Sequence, residues 1–163
     1  MKIRLPSLLL VLSMGLAACT PSVSSRDGVG EAQRLSLGQS VDIAAVGTRV
    51  SALRARNGLA RPLGHSASLQ AAAQAHADDM ARSGDFGHTG SNGSTLASRV
   101  RAAGYNACFS AENIAYGQPS IAQVFEDWMG SDGHRRNIMA VGATQFGFAR
   151  NGTYSVLVLG RTC

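Results

Sequence analysis

Apolar residues recur at helical spacing along much of the chain. Between 41 and 57, Ile43, Val46, Val50 and Leu53 fall at steps of three, four and three, which predicts an amphipathic helix ended by Asn57-Gly58. A second stripe, Leu69, Ala73, His76 and Met80, predicts an alanine-rich helix over 66–83, stopped by Gly84. A shorter helix is expected over 95–103, before Gly104. The fourth follows Ser120, which forms a capping-box pair with Gln123 ahead of Ile121, Val124 and Trp128, and should end near Ser131. In the tail the period changes: 145–149 and 154–160 read as two strands of a hairpin around Asn151-Gly152, and 111–116 supplies a further strand. The expected fold class is therefore α+β, helices with a small, largely antiparallel sheet in one domain.

The start of the chain follows a different pattern. Lys2 and Arg4 precede Leu8-Leu9-Leu10-Val11-Leu12 and then Leu16-Ala17-Ala18-Cys19, the layout of a secretory signal peptide. Its apolar stretch is shorter than the ~18–20 residues a spanning helix needs. Leu-Ala-Ala-Cys also resembles the bacterial lipobox, which implies cleavage before Cys19 and a lipid on its sulfur. Thr20 in place of Asp gives no inner-membrane retention signal, so the expected location is the outer membrane or periplasm in a cell with two membranes and the cell surface otherwise. Residues 20–40 include nine Ser, Gly or Pro and no sustained apolar period, so 1–19 is read as leader and lipid-bearing cysteine, 20–40 as a flexible tether and 41–163 as the folded domain. A tether of that length spans roughly 25 Å.

Composition narrows the chemistry. With 163 residues, 45% hydrophobic and 15% charged, the chain can build one packed core. Lys2 is its only lysine, so the mature domain lacks the amine for Schiff-base or Ser-Lys chemistry. Without Lys2 and Arg4 the formal charge falls from +5 to +3, 13 basic residues against 10 acidic. That is too mild to suggest nucleic acid as a partner. Cys108 and Cys163 remain as an even pair in an oxidising compartment and are expected to form a disulfide.

Acid–base candidates are few. Glutamate occurs at 31, 112 and 126, and histidine at 65, 76, 88 and 134. His76 lies on an inner helical stripe and reads as a core residue; His65 reads as a solvated connector. His88 and His134 stand in glycine-rich turns where a ring can face a cleft, and Glu112 opens an apolar strand, where an exposed carboxylate has no packing role.

Phe86 and His88 after a helix, Arg99 with Gly104-Tyr105, Glu112-Asn113-Ile114-Ala115, and Trp128-Met129-x-Ser131-x-Gly133-His134-Arg135-x-Asn137-Ile138 occur in that order. Together they resemble the CAP superfamily, or SCP domain, of cysteine-rich secretory, antigen-five and plant pathogenesis-related proteins, in a compact bacterial form covering about 41–160. The resemblance implies a three-layer α-β-α sandwich with a shallow cleft lined by two histidines and two acidic residues. His88, Glu112 and His134 match three of them. The second acidic position falls on Ser131, which leaves the set incomplete, with Glu126, Asp127 and Asp132 as neighbouring carboxylates. Two imidazoles with Glu112 as ligand or as holder of a water make a loose, exchangeable site for Zn²⁺ or another divalent cation, and no cofactor is required. The resemblance also implies nearby grooves for sterols, fatty acids or another envelope ligand.

These features favour a lipid-anchored, non-enzymatic binding module at the cell envelope, its cleft formed by His88, Glu112, His134 and Ser131. A hydrolase using Glu112 with His88 or His134, with Ser131 as nucleophile, is the first alternative. A purely structural His/Glu network is the second.

Overall fold

The computed structural model describes residues 41–163. The leader, Cys19 and the tether lie outside the described residues. Each predicted helix is present with its expected stop. α1 (Ile43–Arg56) starts at Asp42, whose side chain accepts from the Ala45 amide, and α2 (Ala67–Ser83) starts at Ser66, which accepts from Leu69. In α3 (Leu96–Ala102), Thr95 and Ser98 satisfy each other reciprocally. In α4 (Ile121–Gly130) only half of the expected capping box forms: Ser120 accepts from the Gln123 amide, while the Gln123 side chain turns to Asp127 at 2.8 Å.

The four strands are β1 (Gly64–His65), β2 (Ala107–Tyr116), β3 (Gln145–Asn151) and β4 (Tyr154–Thr162), in the spatial order β1-β3-β4-β2. β1 pairs with β3 in parallel; the other two pairings are antiparallel. The hairpin loop sits one residue later than expected. Asn151 pairs with Tyr154, so Gly152 and Thr153 form the two-residue loop, with Gly152 at φ +56° where a side chain would be strained. β1 and α5 (Asp132–Ile138) were not anticipated, because two residues show no alternation and a seven-residue helix beginning Asp-Gly-His reads as a turn. His65, expected in a connector, is thus a strand residue.

Strand alternation sorts the core into two halves and produces the three layers. Val156, Val158 and Ile114 face Leu69, Ala73, Met80 and Val100 of α2 and α3. Leu157, Leu159, Phe146 and Phe148 face Val46, Val50, Phe125, Trp128 and Ile138 of α1, α4 and α5. The α+β sandwich expectation therefore holds. The Cys108–Cys163 disulfide is formed, tying the start of β2, at a register shift, to the residue after β4. Closing a loop of 55 residues stabilises the fold by about 4 kcal/mol in the chain-entropy model.

The tightest contact between layers is at Gly147. A Cβ there would lie 2.2 Å from the Leu69 carbonyl carbon and the Gln70 nitrogen, backbone atoms of α2. The Gln70 side chain accepts from the Phe148 amide at 3.0 Å and fixes the same approach. Gly147→Ala is therefore expected to destabilise the protein by about 1–3 kcal/mol through overpacking, read as a lower urea midpoint. An unchanged midpoint would contradict the close contact of α2 with β3.

Candidate functional site

β2 is an edge strand, so its two faces meet both helical layers at one side of the sheet. Successive residues point to opposite layers. Glu112 projects toward α2 and α3 and Asn113 toward α5, which lets one dipeptide organise groups on both sides.

Glu112 is buried, with 2% of its side chain exposed, and is not the exposed carboxylate that its place in the sequence suggested. Arg99 of α3 donates to its Oε2 at 2.8 Å, and His88 Nδ1 donates to its Oε1 at 2.9 Å. His76 Nε2 stands 3.8 Å from Oε1 and donates to the Gly87 carbonyl at 2.9 Å. The core assignment of His76 holds, yet the ring also touches the site. The His88 Nδ1–H is committed to the carboxylate, and 60% of the side chain is exposed.

The loop carrying His88 is clamped from below. Arg99 also donates to the carbonyls of His88 and Ser94, at 3.1 and 2.9 Å. Asp79 accepts from the backbone and hydroxyl of Ser91, both at 2.7 Å.

On the other layer, Asn113 donates to the His134 carbonyl at 3.0 Å, and Asn137 donates to the Glu112 carbonyl at 3.0 Å and to Asn113 Oδ1 at 2.9 Å. Trp128 adds an indole N–H to the Ile114 carbonyl at 3.0 Å. Arg54 secures the far end of α5 by donating to the carbonyls of Ile138 and Ala140. His134, expected in a turn, is therefore held on a short helix. Burial lowers its pKa, and the charge of His88 lowers it further.

The remaining candidates stand apart. Ser131 occupies the position before α5, but its side chain makes no capping bond. Asp127 is held by Gln118 and Gln123, hydrogen bonds that lower its pKa. Glu126 and Asp132 are exposed. None of these three carboxylates bonds to a site histidine among the described residues, so the second acidic position has no substitute in this geometry.

The donor set has a clear limit. Among the described residues no three His, Cys, Asp or Glu side chains are grouped as a metal ion requires. Both oxygens of Glu112 are engaged, one by His88 and one by Arg99. Arg99, Asn113 and Asn137 are the functional residues that sequence reasoning underused. β alternation after Glu112 was the available signal that Asn113 serves the opposite layer.

The pattern of this chain has counterparts. A model of the cysteine-rich secretory protein family (CAP) matches residues 48–158. The YkwD protein of Bacillus subtilis is 32% identical over 97 residues, 60% of this chain and 37% of that protein. An extracellular protein containing an SCP domain from Bacillus anthracis superposes with a TM-score of 0.70 at 22% identity, over 73% of this chain and 40% of that one. An outer surface protein from Borrelia burgdorferi gives 0.68 at 20% identity, over 75% and 93% of the respective chains. The chain thus spans well under half of YkwD and of the Bacillus anthracis protein.

Burial holds the pKa of His76 as well as that of His134 below the ordinary 6.5, while hydrogen bonds from Ser91 hold Asp79 below 3.8. The unfolded chain then binds more protons, so stability is complete above pH 6.5, falls as the pH drops toward the lower folded-state histidine values, and falls again below 3.8. The thermal midpoint is expected to decline as the pH falls below about 6.5, less steeply in His76→Gln. A flat profile in the wild-type protein would contradict the buried, neutral rings.

Proposed function

This chain belongs to the cysteine-rich secretory protein (CAP) family, and on that premise we propose that it is an exported, lipid-anchored binding module whose His88–His134 pair takes a divalent cation such as Zn²⁺ loosely. The carrying observation is the 2.9 Å bond from His88 Nδ1 to a carboxylate already neutralised by Arg99. It fixes the tautomer, turns Nε2 outward and leaves a ligand without adding net charge. The lowered pKa of His134 keeps the second ring neutral at pH 7, the form a metal requires. Two nitrogens alone make a weak, exchangeable site, suited to presenting a cation to an anionic or carbonyl-bearing envelope ligand. The apolar ligand also expected of the fold would occupy a groove beside the site.

Export is supported by the leader pattern ending at Cys19 and by the fold's occurrence in a protein described as extracellular and in one described as an outer surface protein. The hydrolytic alternative has less support, because Ser131 forms no hydrogen bond with an imidazole or carboxylate that could activate it. The purely structural alternative makes a different prediction for the same variants.

Trp128 is the sole tryptophan, and its ring lies 6.4 Å from that of His134, so its fluorescence reports on the site. Zn²⁺ titration is expected to give a saturable change. His88→Ala and His134→Ala should each weaken it about tenfold or more, and Glu112→Gln about 10- to 100-fold by releasing the His88 tautomer. His88→Ala should lower the melting temperature by only a few degrees, since that ring is largely exposed and only its bond to Glu112 is lost. Unchanged Zn²⁺ affinity in the double histidine variant would end the cation proposal, and a lowered melting temperature without any metal effect would favour a structural network.

A further inference from the structure

Four residues beyond Glu112, on the same face of β2 and roughly 13 Å along it, stands a second group of side chains that the imidazole pair does not use. Tyr116 is in register with Tyr154, and Tyr154 with Asn151, so the three form one row across β2, β4 and β3. The row is roughly 10 Å long, two inter-strand spacings. Phe86, in the loop after α2, lies over both tyrosines, with ring centroids 6.0 and 6.5 Å away; the tyrosines are 4.7 Å apart. The rings tilt by 36–41° and make one continuous aromatic surface. Phe86 and Tyr116 are 51% and 55% exposed, so this surface contributes little to the core. At its β3 end Asn151 donates to Asp78 Oδ1 at 2.8 Å, leaving the Asn151 side-chain oxygen and the second Asp78 oxygen without a partner among the described residues. A contiguous exposed aromatic surface with an oriented polar rim is the composition of a binding surface.

We propose that this row is a platform for a glycan of β-linked hexopyranose rings. A pyranose with equatorial substituents has a flat C–H face and a hydroxylated rim. The C–H faces would stack on Phe86 and Tyr116, with the hydroxyls donating to Asp78 and Asn151. Two linked rings match the length of the row. A membrane surface fits less well, because Asp78 stands at the end of the row on Asn151 and Asp85 adjoins Phe86 along the chain, and both would repel anionic headgroups. A proline-rich peptide needs a slot between aromatic rings, whereas these rings touch one another and leave none.

The platform stands independently of the cation reading, and the test separates them. Chitotetraose and cellotetraose are titrated into the full chain by calorimetry, with saturation-transfer NMR reporting which sugar protons contact the protein. The expected result is saturable binding with transfer concentrated on the ring C–H protons. The Phe86→Ala/Tyr116→Ala variant should bind at least about tenfold more weakly while keeping the wild-type Zn²⁺ titration and melting temperature. Tyr116→Phe, which retains the stacking face, should bind like wild type. Three results would overturn the proposal: no binding of either sugar by the wild-type chain, unchanged sugar affinity in the double variant, or loss through that variant of binding to phosphatidylglycerol vesicles or a decaproline peptide in place of the sugars.

Discussion

The site depends on a single buried negative charge. Glu112 has only 2% of its side chain exposed, and a carboxylate in that position is tolerated only when charge and hydrogen bonds are supplied by the protein. Arg99 supplies the charge. His88 takes the remaining oxygen, and Arg99 in turn holds the backbone of the loop that delivers His88. Removing one member of such a buried pair typically costs about 3–5 kcal/mol, because the partner is left uncompensated. The site is thus a by-product of neutralising Glu112. One face of an imidazole is used for structure, and the other is offered outward.

The edge position of β2 explains how one strand reaches the segments that carry both histidines. His88 follows α2 and His134 lies on α5, in separate layers, and no residue in the interior of the sheet could address both. At the edge, Glu112 and Asn113 reach opposite layers from adjacent positions. The aromatic row four residues on uses the same strand differently. It draws on residues in register across three strands, and so forms a surface where the histidine pair forms a point. A cation held by the imidazoles and a glycan lying on the rings would then both be served by one strand.

Much of this was legible in the sequence, and the exceptions have physical causes. Helical periodicity located α1, α2 and α4, glycine stops bounded α2 and α3, and the Ser120 cap marked the start of α4, because these are local signals. The hairpin was visible, although its loop was displaced by one residue once Asn151 entered the ladder. β1 and α5 were missed because tertiary pairing, rather than local pattern, sustains two residues as a strand and seven as a helix. The disulfide followed from cysteine arithmetic, and His88, Glu112 and His134 from their settings and their motif. The burial of Glu112 was not legible. A carboxylate in an apolar strand reads as exposed until its counter-ion is known, and Arg99 lies on a different element. The second acidic position could not be placed from spacing, and the geometry shows why: Glu126, Asp127 and Asp132 all point to other partners or to solvent.

Asn137 and Trp128 bear on how the protein behaves among its neighbours. Their side chains occupy the carbonyls of Glu112 and Ile114 on the outer rim of β2, where another extended chain would have to bond. At the opposite rim β1 is two residues long. The sheet therefore offers little template for strand addition, and crowded copies of this domain have scant opportunity to seed fibrils or exchange strands edge to edge.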